Sequence, residues 1–239
     1  MPLPKPYFRI YRPGSSGYER DPRYADDRIS LCRGFALIES DLKRIFEYVE
    51  PADNNLQTYS HRIYELFLRA CTEFEANCKG ILDANEYRKS SNYNIEDYCK
   101  LETSSRLSDY KTVLYIWKSR CKTFEPFREW KSSRTLSWYQ AYNTVKHNRE
   151  THFNYASLEN LLNSIAGLFC VLYSQFSNDA FFKYTDTGSF YSDEEGYCFV
   201  DDSVFGIKWP DTWTSDERYA FNWNTLSKDT SPFEQYNFT

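Results

Sequence analysis

The residues best suited to chemistry lie together in one stretch, WYQAYNTVKHNRETH, at residues 138–152. It holds amide, ammonium, imidazole and guanidinium groups at Asn143, Lys146, His147 and Arg149. Asn143 and His147 are four residues apart, so a helix places both on one face. Lys146 and Arg149 add positive charge beside that face if the helix continues to Arg149. Such a face is suited to binding a phosphodiester.

The segment YNTVKHNR, preceded by Trp138 and followed by a leucine-rich helical pattern, resembles the signature region of HEPN-like proteins. That family consists of helical bundles from bacterial toxin, abortive-infection and other defence systems, and many members are metal-independent ribonucleases. Its motif is an arginine followed by a polar residue such as asparagine and, a few residues later, a histidine. The resemblance spans the predicted helices from Asp27 to Phe176, and its specific part is this one segment. It implies an RNA-binding homodimer with two motif surfaces across one groove.

His147 matches the motif histidine and Asn143 the polar residue, whereas Tyr142 stands where the motif has arginine. The resemblance implies that His147 transfers protons at a ribose hydroxyl, with Asn143 orienting the substrate. Tyrosine carries no positive charge at neutral pH, so Arg149 and Lys146 are predicted to bind the phosphate in place of the motif arginine. The predicted catalytic residues are therefore His147, Asn143 and Arg149, and the predicted substrate-binding residues are Tyr142, Lys146, Trp138 and Arg134.

Three other interpretations of this segment stay open. Asn143, His147 and Arg149 also fit a structural role, in which they cap or hydrogen-bond a bend between two helices. Tyrosine in place of the motif arginine favours a non-catalytic regulatory protein that binds a protein partner, with its aromatic C-terminal region as one candidate surface. A small-molecule sensor with an aromatic pocket is the third alternative. His61 and Arg62 are secondary candidates, which the sequence does not place relative to His147.

The elements that must position these groups are mostly helical. Apolar side chains at helical spacing predict five helices. They are one starting at Asp26 or Asp27 and stopped by Pro51, one starting at Thr58 or Ser60, a short one capped by Asn94, one containing Trp138 to Lys146, and a long central one from Tyr155 to Phe176. In the last of these, Gly167 is predicted to permit close approach of a neighbouring helix. The run TVLYIW at residues 112–117 fits either a helix or a strand.

Composition divides the chain into three parts. Residues 1–26 hold five prolines and read as an extended N-terminal arm, whereas residues 27–177 carry the helical patterns. Residues 178–239 are acidic and aromatic, with strand-like pieces at 197–200 and 204–209. The predicted fold is therefore mainly α, a HEPN-like antiparallel helical bundle with a small irregular β and loop C-terminal appendage.

Charge is distributed unevenly along the chain. Residues 118–152 contain eight Lys or Arg against three Glu, whereas residues 178–239 contain twelve acidic against four basic residues. A basic segment beside the candidate site suits RNA phosphates, although a solvated helix face produces the same pattern.

Several chemistries have no basis in the sequence. The eight glycines form neither a GxGxxG nor a P-loop motif, and a GxSxG nucleophile elbow is absent. The histidines His147 and His152 are five residues apart, which separates them by about 140° on a straight helix and disfavours a zinc site of the HExxH type. No cofactor and no metal are therefore predicted.

The sequence also predicts a cytoplasmic protein without a membrane span. The first residues contain prolines and basic side chains in place of an apolar signal. The longest apolar run, at residues 165–173, is far shorter than the roughly 20 residues that a membrane helix needs. Seven scattered cysteines without a CxxC pair are predicted to be reduced thiols in the core.

Overall fold

A computed structural model describes residues 1–118, 120–184 and 189–239; Ser119 and residues 185–188 of the predicted appendage lie outside this description. The helices are α1 (Arg28–Phe46), α2 (His61–Ala84), α3 (Ile95–Tyr98), α4 (Leu101–Ser105), α5 (Ser137–His147), α6 (Arg149–His152), α7 (Leu158–Phe176) and α8 (Trp223–Leu226). The strands are β1 (Lys111–Leu114), β2 (Lys122–Phe124), β3 (Tyr191–Ser192), β4 (Cys198–Phe199) and β5 (Phe205–Lys208). The described chain is thus mainly helical with a small antiparallel sheet, as the sequence predicts.

Side-chain caps fix where two of the predicted helices begin. The Ser60 hydroxyl accepts a hydrogen bond from the Ile63 amide at 3.2 Å, so α2 starts at His61. Asn94 and Asp97 form a reciprocal capping box at the start of α3. Both starts confirm the sequence prediction, because a capping residue acts within one turn and can be recognised locally.

Helix α7 is the centre of the fold. Sixteen of its nineteen residues are buried, and α1, α2 and α5 all pack against it. Its Ser157 cap accepts from the Asn160 amide at 3.3 Å, so α7 begins later than the predicted Tyr155. No helix in the described ranges, α7 included, combines the length and hydropathy needed to cross a membrane.

Gly167 is a point of close contact between α5 and α7. A Cβ atom on Gly167 would lie 3.1 Å from Cζ2 of Trp138, which is tighter than an ordinary carbon contact. The predicted role of this glycine is confirmed. The bulky indole therefore fits because residue 167 has no side chain, and this contact fixes the N-terminal half of α5 on the core.

The sheet draws its strands from two distant parts of the chain. Its order is β2-β1-β5-β4-β3, and the strand pairs are antiparallel. Strand β1 shows that residues 112–114 of the ambiguous run TVLYIW form a strand, with Val113 opposite Gly206 of β5. The strand-like pieces predicted near β4 and β5 are confirmed. Since β1 and β2 precede α5, the sheet is not built by the C-terminal region alone.

The N-terminal arm and the C-terminal tail pack on each other as one layer. Backbone bridges pair Leu3 with Tyr219 and Tyr7 with Glu234. The Tyr219 hydroxyl donates a hydrogen bond to the Ile10 carbonyl at 2.8 Å. Ile10 itself is fully buried, so the arm is part of the core.

Five of the seven cysteines are buried, and all seven are free thiols. This agrees with their predicted role as small core side chains. The exceptions are Cys99, which is half-buried, and Cys121, which is exposed.

Glu19 is a buried carboxyl group within the arm. Its side chain accepts a hydrogen bond from the Gly17 amide at 2.7 Å, and the residue is 5% exposed. Burial raises the pKa of Glu19 to about 7, although hydrogen bonds from the backbone oppose the shift. The folded chain therefore holds a proton here that the unfolded chain releases near its ordinary pKa of 4.5.

We expect the Glu19→Gln variant to be more stable than the wild type above pH 7. Between the unfolded and folded pKa values the folded state binds more protons, so this group loses stabilisation as pH rises. The difference reaches about 3 kcal/mol for a shift of this size. Urea unfolding at pH 5 and pH 8 measures it, with the exposed Glu195→Gln as control. An equal pH response in Glu19→Gln and wild type would contradict this account.

Candidate functional site

The predicted segment forms α5 and the turn that follows it. Helix α5 carries Asn143, Lys146 and His147, and it ends at His147. Asn148 leaves the helical conformation, with φ −133° and ψ 48°, and Arg149 then begins the short helix α6. Asn143 and His147 therefore share a helix, as predicted, whereas Arg149 does not extend their face along a continuous helix.

Trp138 and Tyr142 face the interior. Trp138 is 3% exposed and its Nε1 donates a hydrogen bond to the Pro126 carbonyl at 2.9 Å. Tyr142 is 2% exposed, and its ring lies 6.2 Å from that of Phe67 on α2. Of the predicted substrate-binding residues, these two thus hold α5 on the core and do not present a ring to solvent.

The Tyr142 hydroxyl joins a polar network between α5 and α2. It accepts a hydrogen bond from Nζ of Lys146 at 2.9 Å and donates to Oε2 of Glu75 at 3.5 Å. The Tyr139 hydroxyl donates to Oε1 of the same Glu75 at 2.6 Å. Nζ of Lys146 also lies 4.8 Å from the centre of the Tyr142 ring. The Lys146 ammonium is consequently held one turn after the position where the resemblance expects the motif arginine.

These contacts change the proton affinities of both partners. Burial raises the pKa of Tyr142, with its hydrogen bond from Lys146 acting in the opposite direction. The hydrogen bond to Tyr142 raises the pKa of Lys146, and burial opposes that shift. Tyr142 is therefore a neutral hydroxyl and Lys146 an ammonium at neutral pH, so the cation of this pair is Lys146.

The other predicted catalytic groups are more open. His147 is exposed and Asn143 is half-buried, and in the described part of the chain neither side chain makes a hydrogen bond. The Arg149 guanidinium lies 5.6 Å from the centre of the Tyr64 ring on α2. A structural role at the bend thus has no hydrogen bond from Asn143 or His147 to support it, while Arg149 packs on Tyr64.

A turn at residues 153–155 brings the start of α2 to the same end of the molecule. The ring of Phe153 lies 4.9 Å from that of His61 and 5.6 Å from that of Tyr59. The ring of His152 lies 5.6 Å from that of Tyr155. All three histidines of the chain therefore lie at this end. The rings around them were not candidates from the sequence, because nothing local indicates that residues 59–64 and 149–155 meet.

We name this surface the basic aromatic face and define it by its exposed cations, imidazoles and rings. Its members are Lys146, His147, Arg149, His61, Tyr59 and Tyr155. Tyr59 is 51% exposed and Tyr155 45% exposed. Exposed rings beside cations are the groups on which unpaired nucleic-acid bases stack and to which phosphates bind.

Arg134 lies apart from this face. It precedes the N-terminus of α5, whereas His147 is the last residue of that helix, and a helix of eleven residues is about 16 Å long. The charge of Arg134 acts instead on Cys99, whose thiol pKa is raised by burial and by Glu102 and lowered by Arg134. The predicted substrate-binding set is thus not one cluster.

Carboxylates from elsewhere neutralise part of the basic segment at residues 118–152. Nζ of Lys131 lies 2.7 Å from Oδ1 of Asp109, and Lys122 pairs with Asp53. Within the described ranges, Lys146 and Arg149 form no ion pair with a carboxylate. Lys118, Arg120 and Arg134 are likewise without an ion-paired carboxylate in the described ranges, so the basic aromatic face holds two of the five unpaired cations of this segment.

The alternative sites are less suited to their proposed ligands. A cleft of about 810 Å³ between α1 and α2 carries three arginines and three carboxylates on its rim and only one aromatic ring, Tyr48. The C-terminal region, a candidate surface for a protein partner, buries large rings such as Trp213 and Phe233. Among the described residues, no group of three or more His, Cys, Asp or Glu could hold a metal ion.

Comparison with known proteins gives no match to a family model, to a curated protein or to a solved structure. The HEPN-like assignment therefore stays a prediction from the segment at residues 142–149.

We expect Tyr142→Phe to lower the pKa of Lys146, because the variant removes the hydroxyl that accepts the ammonium hydrogen bond. The loss of this hydrogen bond also costs about 1 kcal/mol of stability. Titration of the Lys146 ammonium by NMR measures the pKa. Tyr139→Phe is the matched control, because it removes a hydroxyl from Glu75 without touching Lys146. An unchanged Lys146 pKa in Tyr142→Phe would show that the pair does not set it.

Proposed function

We propose that the chain binds single-stranded RNA through the basic aromatic face. The observation that carries the proposal is the combination of cations without ion-paired carboxylates and exposed rings at one end of the molecule. Lys146 and Arg149 provide the charge for the phosphate backbone. Tyr59 and Tyr155, each about half exposed, provide surfaces for unpaired bases.

Single strands fit this face better than a duplex. The rings belong to separate segments, with Tyr59 before α2 and Tyr155 after α6, so successive bases can stack on different rings. In a duplex the bases are stacked on each other and are not open to side chains. The face therefore suits an extended or looped strand, whose backbone binds the cations and whose bases stack on the rings.

A specific observation also supports cleavage as part of the proposal. His147 is exposed, and no hydrogen bond within the described chain occupies its imidazole. The ring is thus free to accept the proton of a ribose hydroxyl, whose oxygen then attacks the adjacent phosphorus and displaces the next nucleotide. Arg149 and Lys146 would stabilise charge on that phosphate. Tyr142 would act only by holding Lys146.

Binding of a labelled single-stranded RNA should weaken as salt rises, and Arg149→Ala should bind more weakly than the wild type. Losing one phosphate contact lowers the slope of log affinity against log salt by about one. Fluorescence anisotropy at several salt concentrations measures both quantities. Lys131→Ala is the matched control, since Asp109 already neutralises that ammonium. Equal affinities and slopes for Arg149→Ala and wild type would exclude this face.

Tyr155→Ala tests the stacking contribution separately. Loss of the Tyr155 ring should weaken binding by about 1–3 kcal/mol. It should not change the slope of log affinity against log salt, because a ring releases no counterions. Tyr48→Ala is the control, since Tyr48 is an exposed ring on the cleft between α1 and α2. If Tyr155→Ala binds like the wild type, the Tyr155 ring does not hold a base.

Cleavage is tested by incubating the protein with RNA in EDTA. The wild type should cleave, and His147→Ala should lose cleavage while retaining binding, because only the proton-transfer group is removed. His152→Ala is the control, because a contact of 2.7 Å with the Thr151 hydroxyl already engages its Nδ1. Persistent cleavage by His147→Ala would remove the role of His147, and binding without cleavage by the wild type would limit the function to binding.

A further inference from the structure

Two of the three imidazoles of the chain make no hydrogen bond within the described ranges. They are His147 at the end of α5 and His61 at the start of α2, and both are exposed. His152 is half-buried, and its Nδ1 lies 2.7 Å from the Thr151 hydroxyl. The cleavage step proposed above uses only His147. His61 is therefore an open imidazole on the basic aromatic face without an assigned role.

Ring contacts connect His61 to the guanidinium of Arg149, which is proposed to bind the phosphate. The Phe153 ring lies 4.9 Å from the His61 ring and 5.7 Å from the Tyr64 ring. Tyr64 follows His61 by about one turn of α2, and its ring centre lies 5.6 Å from the Arg149 guanidinium. His147 precedes Arg149 by two residues, which limits their Cα separation to about 7 Å. Arg149 is thus linked to His61 through the Tyr64 and Phe153 rings and to His147 by its place two residues along the chain.

Cleavage of RNA by its own ribose hydroxyl requires two proton transfers. In the proposed step, His147 accepts the proton of the 2′-hydroxyl while the 2′-oxygen forms a bond to phosphorus. The bond from phosphorus to the 5′-oxygen of the next nucleotide breaks, and that oxygen must gain a proton. The attacking and leaving oxygens lie roughly in line on opposite sides of phosphorus. One imidazole cannot stand beside both oxygens at once, so a second group is needed.

We propose that His61 is this second group and that its imidazolium donates the proton to the leaving 5′-oxygen. The inference rests on the proposed RNA cleavage. The products are a 2′,3′-cyclic phosphate and a free 5′-hydroxyl, with one proton gained by His147 and one lost by His61, so the protons balance. The two imidazoles belong to different helices, at the first residue of α2 and the last residue of α5. They can therefore approach one phosphate from two directions.

The surroundings of His61 leave its proton available to a ligand. The titratable and charged groups of the segments that meet at this end of the fold are Arg62 and Glu65 on α2, Tyr59 and Tyr64, Glu47 and Tyr48 after α1, and Lys146, His147, Arg149, Glu150, His152 and Tyr155 from α5, α6 and the turn that follows. The Arg62 guanidinium lies 2.9 Å from Oε2 of Glu65, so these two charges largely compensate each other. In the part of the chain that the structure describes, none of these groups forms a hydrogen bond or ion pair with His61.

Two substrates that differ in their leaving group distinguish a proton donor from a residue with any other role. In RNA the leaving 5′-oxygen is an alkoxide that needs a proton. Uridine 3′-(4-nitrophenyl phosphate) instead releases a nitrophenolate, which is stable without one. His61→Ala should cleave single-stranded RNA about 100-fold or more slowly than the wild type. The same variant should cleave the nitrophenyl ester at nearly the wild-type rate. His147→Ala should be slow on both substrates, because each needs the 2′-hydroxyl to be deprotonated.

The dependence of kcat/KM on pH gives a second readout with RNA as substrate. The wild type should show a bell-shaped profile, because the base acts when deprotonated and the acid when protonated. His61→Ala should lose the fall at high pH and keep the rise at low pH. His152→Ala is the matched control, since it removes an imidazole that is not a member of the basic aromatic face and that Thr151 already engages. It should keep both limbs and the wild-type rate.

The outcomes separate this inference from the proposed function beneath it. Anisotropy measures whether His61→Ala still binds RNA, and binding close to that of the wild type is expected. If the wild type cleaves while His61→Ala is slowed equally on RNA and on the ester, His61 acts in binding or folding and the inference is overturned. A wild-type rate on RNA for His61→Ala overturns it as well. A wild type that cleaves neither substrate overturns the cleavage proposal itself, and the role of His61 with it.

Discussion

Helix α7 is covered on nearly every side, and this constraint organises the other elements. A helix so apolar is stable in water only when its neighbours remove its surface from solvent. Helix α2 supplies part of that cover, including the buried hydrogen bond from Gln175 to Asn77 at 2.9 Å. Helix α5 supplies another part through Trp138, which sits over Gly167. Because the side of α5 that carries Trp138 is buried in the core, Lys146 and His147 lie on the side that faces solvent.

The helices were predictable from sequence where their signals are local. Ser60 and Asn94 cap α2 and α3 as expected, because a cap needs only the residues of one turn. The strand assignment of TVLYIW was not accessible, since its pairing with β5 joins residues about ninety positions apart. A bend between two helices was among the open interpretations of this segment, but its position at Asn148, where one backbone conformation separates Arg149 from the helix of His147, was not predicted. The meeting of His61 with Phe153 depends on tertiary packing and has no local signature.

The net charge of a segment is a poor guide to the charge that it offers a ligand. Residues 118–152 are basic, yet Asp53 and Asp109, which are distant in sequence, neutralise Lys122 and Lys131. Of the cations left without an ion-paired carboxylate in the described ranges, Lys146 and Arg149 lie where α5 ends. The Tyr142 hydroxyl adds to this by holding one ammonium in place. The segment thus differs from the HEPN-like motif that it resembles, because its cation is a lysine one turn after the arginine position and is held by the buried Tyr142 ring.

The pairing of the arm with the tail has a consequence for the order of folding. Leu3 and Tyr7 bridge to Tyr219 and Glu234, so this layer closes a loop of more than two hundred residues. Loop closure of that length is slow compared with the formation of neighbouring helices. The α-helical core can therefore assemble first, and Ile10 stays exposed to solvent until the arm packs on the tail. During synthesis the arm emerges before the tail with which it pairs, so its apolar side chains are open to self-association or to chaperones until the tail is made.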